Sequence, residues 1–412
     1  MAEEKYVVMP GAEYKGRMPW DRAEALKAEL QAGMPDTAGS SAWVMLRAAE
    51  LWDVGVEDMK QVKTLQTPMG VMYKGILGVV TKISDAVLTD SRIFRLDSPD
   101  WLELYNRQVN LEGSKSRAWP ALSAQVVEEE ALKRQQQEGW DAVRPAIELT
   151  VRAWILQGFV ANRPNVDPKI ALGHYDMALE VLDWGRTASW KDVPVPMKGV
   201  VFEDYFVRSV RQLRLESLRA VCGADPSQGP EAPLQRLYDE AKSLVNEMPE
   251  VGSPTLPPGE HDPGFVLAFG VYPKGSALTM VGYYHHHMAR RCDKHKDHDA
   301  AADHIFKAHH AYYQAAKLFP KDDENHAWFL NVSVQMLQIC GSPFDVALRV
   351  TEAVRLALPE MKKIWAHSAA AMQDRNAAFT LSLRLEEKIK KDLADGKIKL
   401  DDFMMPDYSM SS

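Results

Sequence analysis

The chain carries small and aromatic residues at a four-then-three spacing: Ala308, Tyr312 and Ala315, with Pro320 five residues later. These spacings place the three side chains on one face of a helix. Small residues seven positions apart let a neighbouring helix approach closely, and the ring between them fills the remaining gap. Because proline cannot continue a helix, the pattern predicts a packed helix that stops at Pro320.

The same spacing returns at three further places, which are Ala171/Tyr175/Ala178, Leu234/Tyr238/Ala241 and the shortened Phe344/Ala347. One or two helical hairpins fit between successive places. In this respect the chain resembles the second helix of the tetratricopeptide repeat (TPR). The first-helix signature of that repeat, a Trp followed by Leu-Gly and a Tyr, is missing before Ala308. The resemblance implies an all-α fold, a TPR-like right-handed superhelical array of helical hairpins.

Composition supports a folded protein with many helix–helix contacts. Apolar residues make up 46% of the 412 residues and charged residues 26%, close to the average of globular proteins, so a disordered chain is not expected. Eleven Trp and nineteen Met suit such contacts. The net charge of −8 argues against nucleic acid as a partner, because phosphates need a basic surface.

The predicted localisation is cytoplasmic. Cys222, Cys292 and Cys340 are odd in number and widely spaced, which fits a reducing compartment better than a disulfide framework. The N-terminus lacks the basic and apolar pattern of a signal peptide. The longest apolar run, residues 69–88, is interrupted by three charged residues, so no membrane span is expected.

The chain is predicted to divide into four parts. They are an extended lead-in at 1–18, an irregular α-helical N-terminal region at 19–164, a TPR-like helical repeat region at 165–395 and a tail at 396–412. The repeat region contains a Pro-rich loop at 249–263, interpreted as a linker or a functional flap.

Local signals predict individual helix starts and stops. Asp21 is predicted to cap a helix over 22–32, and Thr67-Pro68 to open a helix that runs through Leu88. Helices are also expected at about 343–358 and 360–373. No strand pair is expected, because period-two alternation and Asn-Gly or Asp-Gly turns are missing.

Nine of the twelve histidines lie between His285 and His326. Cys292, His295 and His298 follow one another at intervals of three residues, and such side chains bind transition metals. We therefore consider a transition metal as a cofactor and these three residues as its ligands. The alternative is a polar turn between helices, since structural zinc sites normally show two tight ligand pairs. His304, on the face of Ala308, is predicted to be a packed histidine.

The acidic run Asp322-Asp323-Glu324-Asn325 resembles the magnesium motif of terpene cyclases. It follows Pro320 almost directly, and the second metal motif of those enzymes is missing downstream. Asp322 or Asp323 is therefore predicted to be a helix N-cap, with the other acids in the first turn.

The TPR resemblance also implies a binding surface. The first helix of each hairpin would line a concave groove, which exposes Tyr283, Tyr284 and His287 on one helix and Trp328 and Asn331 on another. Aromatic rings there would cover an apolar group, and asparagine would hold an extended backbone. The alternative places the aromatic residues in the core.

Two hypotheses for function follow. The first is a cytosolic helical-repeat protein that binds a peptide, a protein or an apolar small molecule in a concave surface. The second is an enzyme with a pocket between the two helical halves that uses the His-rich segment 285–310, with or without a metal. The sequence assigns no catalytic residue.

Overall fold

A computed structural model describes residues 7–8, 12–68, 70–162, 166–223, 231–248, 256 and 261–406. Helices dominate these residues, so the all-α prediction is confirmed. The α-helices, in chain order, are α1 (Pro19–Ala32), α2 (Ser41–Met59), α3 (Val79–Thr89), α4 (Trp101–Ser116), α5 (Ala124–Glu138), α6 (Trp140–Ala161), α7 (Pro168–Asp183), α8 (Val195–Lys198), α9 (Asp204–Gly223), α10 (Glu231–Glu247), α11 (Pro263–Gly270), α12 (Tyr272–Lys294), α13 (His298–Leu318), α14 (Glu324–Cys340), α15 (Phe344–Trp365), α16 (Ala369–Met372) and α17 (Phe379–Ala394).

Short strands and tight helical turns complete the described elements. The strands are β1 (Val7–Val8), β2 (Lys63–Thr67), β3 (Gly70–Lys74) and β4 (Arg95–Leu96). Strands β1 and β4 pair in parallel, and β2 and β3 form an antiparallel hairpin. The 3-10 helices are Ala12–Tyr14, Asp36–Gly39, Ser91–Ile93, Val200–Phe202 and Arg375–Ala378, and Trp184–Ala188 is a π-helical turn.

The chain folds into two compact units, each assembled from separate stretches of sequence. Unit 1 comprises residues 1–13, 44–227 and 254–269, and unit 2 comprises 14–43, 228–253 and 270–412. The predicted boundary at 164/165 falls inside unit 1, where α6 packs against α7. Half of the lead-in 1–18 and most of the Pro-rich loop 249–263 lie outside the described residues.

Unit 1 is organised around α6. Residues 149–156 of this helix are all buried, and α3, α4, α5 and α7 pack around it. A helix that is apolar on all sides is typical of a core position. Arg152 is the charged exception, and its contacts are described below.

The β2–β3 hairpin of unit 1 contradicts two predictions. The stretch from Thr67 was expected to begin a helix; instead Thr67 ends β2, residues 70–74 form β3, and α3 begins only at Val79. The strand pair that was not expected therefore exists. Its turn uses Thr67 and Gly70, and the Thr67 hydroxyl donates to the Gly70 carbonyl at 2.7 Å. This turn chemistry lacks the Asn-Gly signature by which hairpins are recognised in a sequence.

The helices of unit 2 pack largely in chain order. Helix α10 packs on α12, α12 on α13, α13 on α14, and α14 on α15, while α17 contacts α14 and α15. The predicted small–aromatic–small face lies between these helices: Ala308 and Ala315 are fully buried and Tyr312 is 6% exposed. Gly282 of α12 faces Tyr312 so closely that an added Cβ would lie 2.8 Å from its ring.

Two further helix boundaries differ from prediction, and the tail contacts the start of α15. Helix α1 begins at Pro19, and Asp21 is not its N-cap; instead its carboxylate accepts a hydrogen bond from the Met18 amide at 3.1 Å. Helix α15 continues through Pro359, because most of its buried residues lie on one continuous face from Ala347 to Trp365. The beginning of the tail folds back on α15, where the Phe344 amide donates to the Asp402 carbonyl and the Met404 amide donates to Ser342.

One stretch among the described residues is long and apolar enough to cross a membrane. It covers Pro263–Lys294, and 67% of its most apolar window is buried inside the protein. Buried core helices pass the same test of length and composition, so the absence of a membrane span stays a prediction.

Candidate functional site

Most of the histidines concentrated between His285 and His326 lie on α12 and α13. These two helices form an antiparallel pair in unit 2. Leu278, Gly282, His285, Ala289 and Cys292 recur at spacings of four and three along α12. Ala289 packs in one apolar cluster with Ile305, Ala308 and Tyr312 of α13. His285, in the same row, is therefore brought against α13.

His285 and His304 form a direct pair across this seam. Their Nδ1 atoms are 2.9 Å apart, so one ring carries a proton on Nδ1 and donates it to the other. His285 is 9% exposed, and its burial, reinforced by the adjacent His304 ring, lowers its pKa to about 4. Burial also lowers the pKa of His304. Both rings are thus neutral at pH 7, which fits the prediction that His304 is packed.

Two tyrosines contact His285: Tyr284 precedes it on α12, and Tyr238 lies on α10. The ring of Tyr284 stacks on that of Tyr238 at a centroid distance of 4.2 Å, and both rings lie edge-on to His285 at 5.2 and 5.5 Å. The Tyr284 hydroxyl donates to the side-chain oxygen of Gln235 at 3.0 Å. Tyr284 was predicted to contact a ligand. Its ring and its hydroxyl instead make contacts within unit 2.

Tyr283 and His287 lie one turn apart on α12, and both are half-buried. Their ring centroids are 4.3 Å apart. Burial lowers the pKa of His287, and the charge of Arg290 lowers it further. The neighbouring His286 has a pKa of about 4 for the same two reasons. The predicted pair Tyr283 and His287 thus forms a neutral aromatic patch on α12.

The three residues predicted to bind a metal lie at the α12–α13 turn. Cys292 is in the last turn of α12, His295 follows that helix, and His298 is the first residue of α13. Both histidines are exposed, and Nδ1 of His298 lies 3.1 Å from an Asp293 oxygen. Within the described ranges, no group of three or more His, Cys, Asp or Glu side chains is arranged to hold a metal ion. The three residues lie in a polar turn between the two helices, and metal binding by them stays a prediction.

The two predicted groove residues on α14 differ in accessibility. Asn331 is fully buried, and its side-chain oxygen accepts a hydrogen bond from Ser382 of α17 at 2.7 Å. Such a side chain has no surface with which to hold a partner backbone. Trp328 is half-buried between the ring of Phe379 and the guanidinium of Arg375, at 6.2 and 5.8 Å from its ring centroid.

His309 and Ser333 form a serine–histidine contact, with Ser333 Oγ 2.8 Å from Nδ1 of the ring. The same nitrogen lies 3.2 Å from the Ser333 carbonyl oxygen. Ser333 is completely buried and His309 is 9% exposed. A nucleophilic serine must reach its substrate, so this contact is structural and ties α13 to α14.

The acidic run Asp322-Asp323-Glu324 is also structural, because each of its carboxylates contacts a different part of unit 2. Asp323 caps α14 by accepting from the Asn325 amide at 2.7 Å, as predicted, and it also accepts from the Tyr272 hydroxyl at 2.6 Å. The Asp322 carboxylate accepts from the Ser40 hydroxyl at 2.5 Å and from the Ser41 amide at 2.8 Å, which caps the start of α2.

Glu324 makes the most enclosed ion pair of this region. Its side chain is 5% exposed and lies 2.7 Å from the Arg375 guanidinium, which is 9% exposed. The Ser368 hydroxyl donates to the same carboxylate oxygen at 2.5 Å. Sequence reasoning missed this site because Arg375 is fifty-one residues away and no local pattern marks it.

Unit 1 contains a comparable buried charge that sequence reasoning also missed. Arg152 of α6 is 2% exposed, and its guanidinium donates to Asp85 at 2.5 Å, to Ser84 at 2.8 Å and to Glu148 at 3.1 Å. The pKa of Arg152 is raised: burial opposes its charge, but the two carboxylates outweigh that effect. Through its hydrogen bonds to Ser84 and Asp85, the buried Arg152 guanidinium connects α6 to α3.

Comparison with protein-family models, with curated proteins and with solved structures finds no match to this chain. A function is therefore inferred from the geometry of the chain itself. Among the residues predicted to line a groove, Asn331 is fully buried, whereas Tyr283, Tyr284 and His287 of α12 and Trp328 of α14 are half-buried.

Proposed function

We propose that this chain is a cytosolic binding protein, in which unit 2 is a TPR-like right-handed superhelical array that holds a peptide or protein partner. One observation carries the proposal: the helices of unit 2 pack largely in chain order, with the Tyr312 ring seated on Gly282 at the α12–α13 seam. Packing of each helix on the next is how helical-repeat proteins build extended binding surfaces.

The partner-binding residues proposed are Tyr283 and His287. Their rings form a neutral aromatic patch on α12, which is the first helix of the α12–α13 hairpin. Aromatic side chains dominate binding energy in protein interfaces because they bury a large area with few rotatable bonds. Trp328, on the first helix of the next hairpin, would extend this surface.

The buried environment of the histidines favours binding over catalysis. A general base needs a proton acceptor that reaches the substrate, yet the Nδ1 atoms of His285 and His304 face each other and that of His309 faces Ser333.

Selection from a random peptide library displayed against the immobilised full chain tests the proposal. Selected peptides should bind with micromolar affinity by isothermal titration calorimetry. Tyr283→Ala should weaken binding roughly thirtyfold, the effect of losing a typical aromatic hot spot. Leu356→Ala is the matched control, because Leu356 is 60% exposed on α15 and lies outside the patch.

Two results would overturn this proposal. One is a failure to select any peptide above background. The other is a set of peptides whose affinity is the same for Tyr283→Ala, His287→Ala and the parent chain. Circular dichroism of each variant verifies that the helices remain folded.

A further inference from the structure

The β2–β3 hairpin of unit 1 exposes apolar side chains on both of its faces. Leu65 and Met72 are directly opposite each other on one face and are 43% and 54% exposed. Val71, on the other face, is 52% exposed. Isolated two-stranded hairpins are marginally stable in water, and their apolar residues are normally covered by another layer.

The hairpin lies in a basic stretch of an acidic protein. Between Asp58 and Asp85 the chain has four lysines and no acidic residue, although 57 of its 412 residues are Asp or Glu. Lys82 pairs with Asp58 at 2.5 Å, and Lys60 lies 3.5 Å from Glu57. Within the described ranges, Lys63 and Lys74 have no acidic partner.

These two unpaired lysines are cross-strand neighbours. Lys63 is opposite Lys74 at the base of the hairpin, on the same face as Leu65 and Met72. Like charges directly opposite each other destabilise a strand pair. Anionic groups between the two ammonium groups would remove that repulsion.

The base of the hairpin packs closely against α4, and this contact orients the exposed end of the hairpin. A Cβ added to Gly75 would lie 3.1 Å from Leu111 of α4 and 3.2 Å from the Val62 backbone. Strand β3 also packs against α4. The apolar pair therefore projects beyond the lysine pair from an anchored base.

We propose that the hairpin inserts into the surface of an anionic phospholipid bilayer. Leu65, Val71 and Met72 would enter the boundary between headgroups and acyl chains, while Lys63 and Lys74 contact phosphates. A protein groove would cover one face of the ribbon, but a lipid interface surrounds both faces. Interfacial segments typically enter by about 5–10 Å, which matches the two or three residues beyond the lysine pair at about 3.4 Å per residue.

Co-sedimentation of the full chain with vesicles tests this inference. Binding to vesicles of phosphatidylcholine with phosphatidylserine should be at least tenfold tighter than to phosphatidylcholine alone, and high salt should weaken it. Lys63→Gln with Lys74→Gln should weaken binding to the anionic vesicles roughly thirtyfold, since each lysine near the surface contributes roughly fivefold.

The apolar contribution is tested by Leu65→Ser with Met72→Ser, which should weaken binding roughly tenfold or more. Ile170→Ser with Met197→Ser is the matched control, because these residues of unit 1 are 51% and 47% exposed and lie outside the hairpin. The control should bind like the parent chain. If the serine variant does not fold, the glutamine variant, which changes only exposed charges, decides the question.

Three outcomes would overturn the inference. They are equal binding to both vesicle types, equal weakening by the control variant, and a concentration-dependent dimer in analytical ultracentrifugation that the hairpin variants abolish. The last result would identify a second copy of the chain as the occupant of the hairpin.

Discussion

A methyl group added at Gly282 would lie 2.8 Å from the Tyr312 ring. A substitution at this position therefore tests how tightly α12 and α13 pack. We expect Gly282→Ala to lower the free energy of unfolding by about 1–3 kcal/mol, because overpacking forces the ring or the backbone to shift. Gly173→Ala on α7 is the control, since nothing lies within 4 Å of its added Cβ. It should stabilise by about 0.5–1 kcal/mol through helix propensity, and chemical denaturation measures both.

The Glu324–Arg375 pair tests whether the acidic run stabilises unit 2. Arg375→Ala leaves a buried carboxylate without its cation, so we expect a loss of about 3–5 kcal/mol in the free energy of unfolding. Arg349→Ala breaks the exposed pair with Asp345, where the arginine side chain is 72% exposed. That control should change stability by less than about 1 kcal/mol. Equal effects of the two substitutions would contradict the structural role given to Glu324.

At the scale of elements, both units cap a helix with an acid from a distant part of the chain. Glu112 of α4 accepts from the Val79 and Val80 amides at 2.9 and 3.1 Å, at the start of α3. Asp322 does the same for α2. The residue before α3 is Gly78, which has no side chain to act as a cap. Local sequence rules cannot find such caps, because they search only within a few residues of the helix start.

Pro359 distinguishes one long helix from two short ones. In α15 the proline is exposed within a continuous helix, where it removes a backbone hydrogen bond. Pro359→Ala should therefore raise the free energy of unfolding by about 1–3 kcal/mol. Pro168→Ala, at the first position of α7, should change it little, because that amide has no partner within the helix. No gain at Pro359 would favour the separate helices predicted from the sequence.

The sequence predicts those elements whose signals are local. The N-cap at Asp323 and the buried face of Ala308, Tyr312 and Ala315 were correctly predicted, since caps and 3.6-residue periodicity act over a few residues. The β2–β3 hairpin was missed because the apolar residues of β3 and α3 form one nearly continuous run in the sequence. The turn between β2 and β3 also lacks a recognisable sequence signature. The His285–His304 contact was out of reach, because it depends on the register between two helices.

At the scale of the whole molecule, buried histidines should make the protein sensitive to acid. Burial is the first cause of a lowered pKa at seven described histidines, which are His174, His285, His286, His287, His304, His309 and His326. In the unfolded chain each would titrate near about 6.5. Below that pH the unfolded state binds more protons than the native state, so stability falls as pH falls.

The size of this effect is best measured at His285, whose pKa in the native protein is about 4. Between pH 6.5 and pH 5 we expect this residue to cost on the order of 1–2 kcal/mol of stability, because it is protonated in the unfolded chain alone. His285→Gln should therefore reduce the loss of stability across this interval, measured by urea denaturation at each pH. His298→Gln is the control variant, because its side chain is 63% exposed and lies outside the buried pair. If both variants lose stability as the parent chain does, the acid sensitivity comes from groups other than the buried pair at the α12–α13 seam.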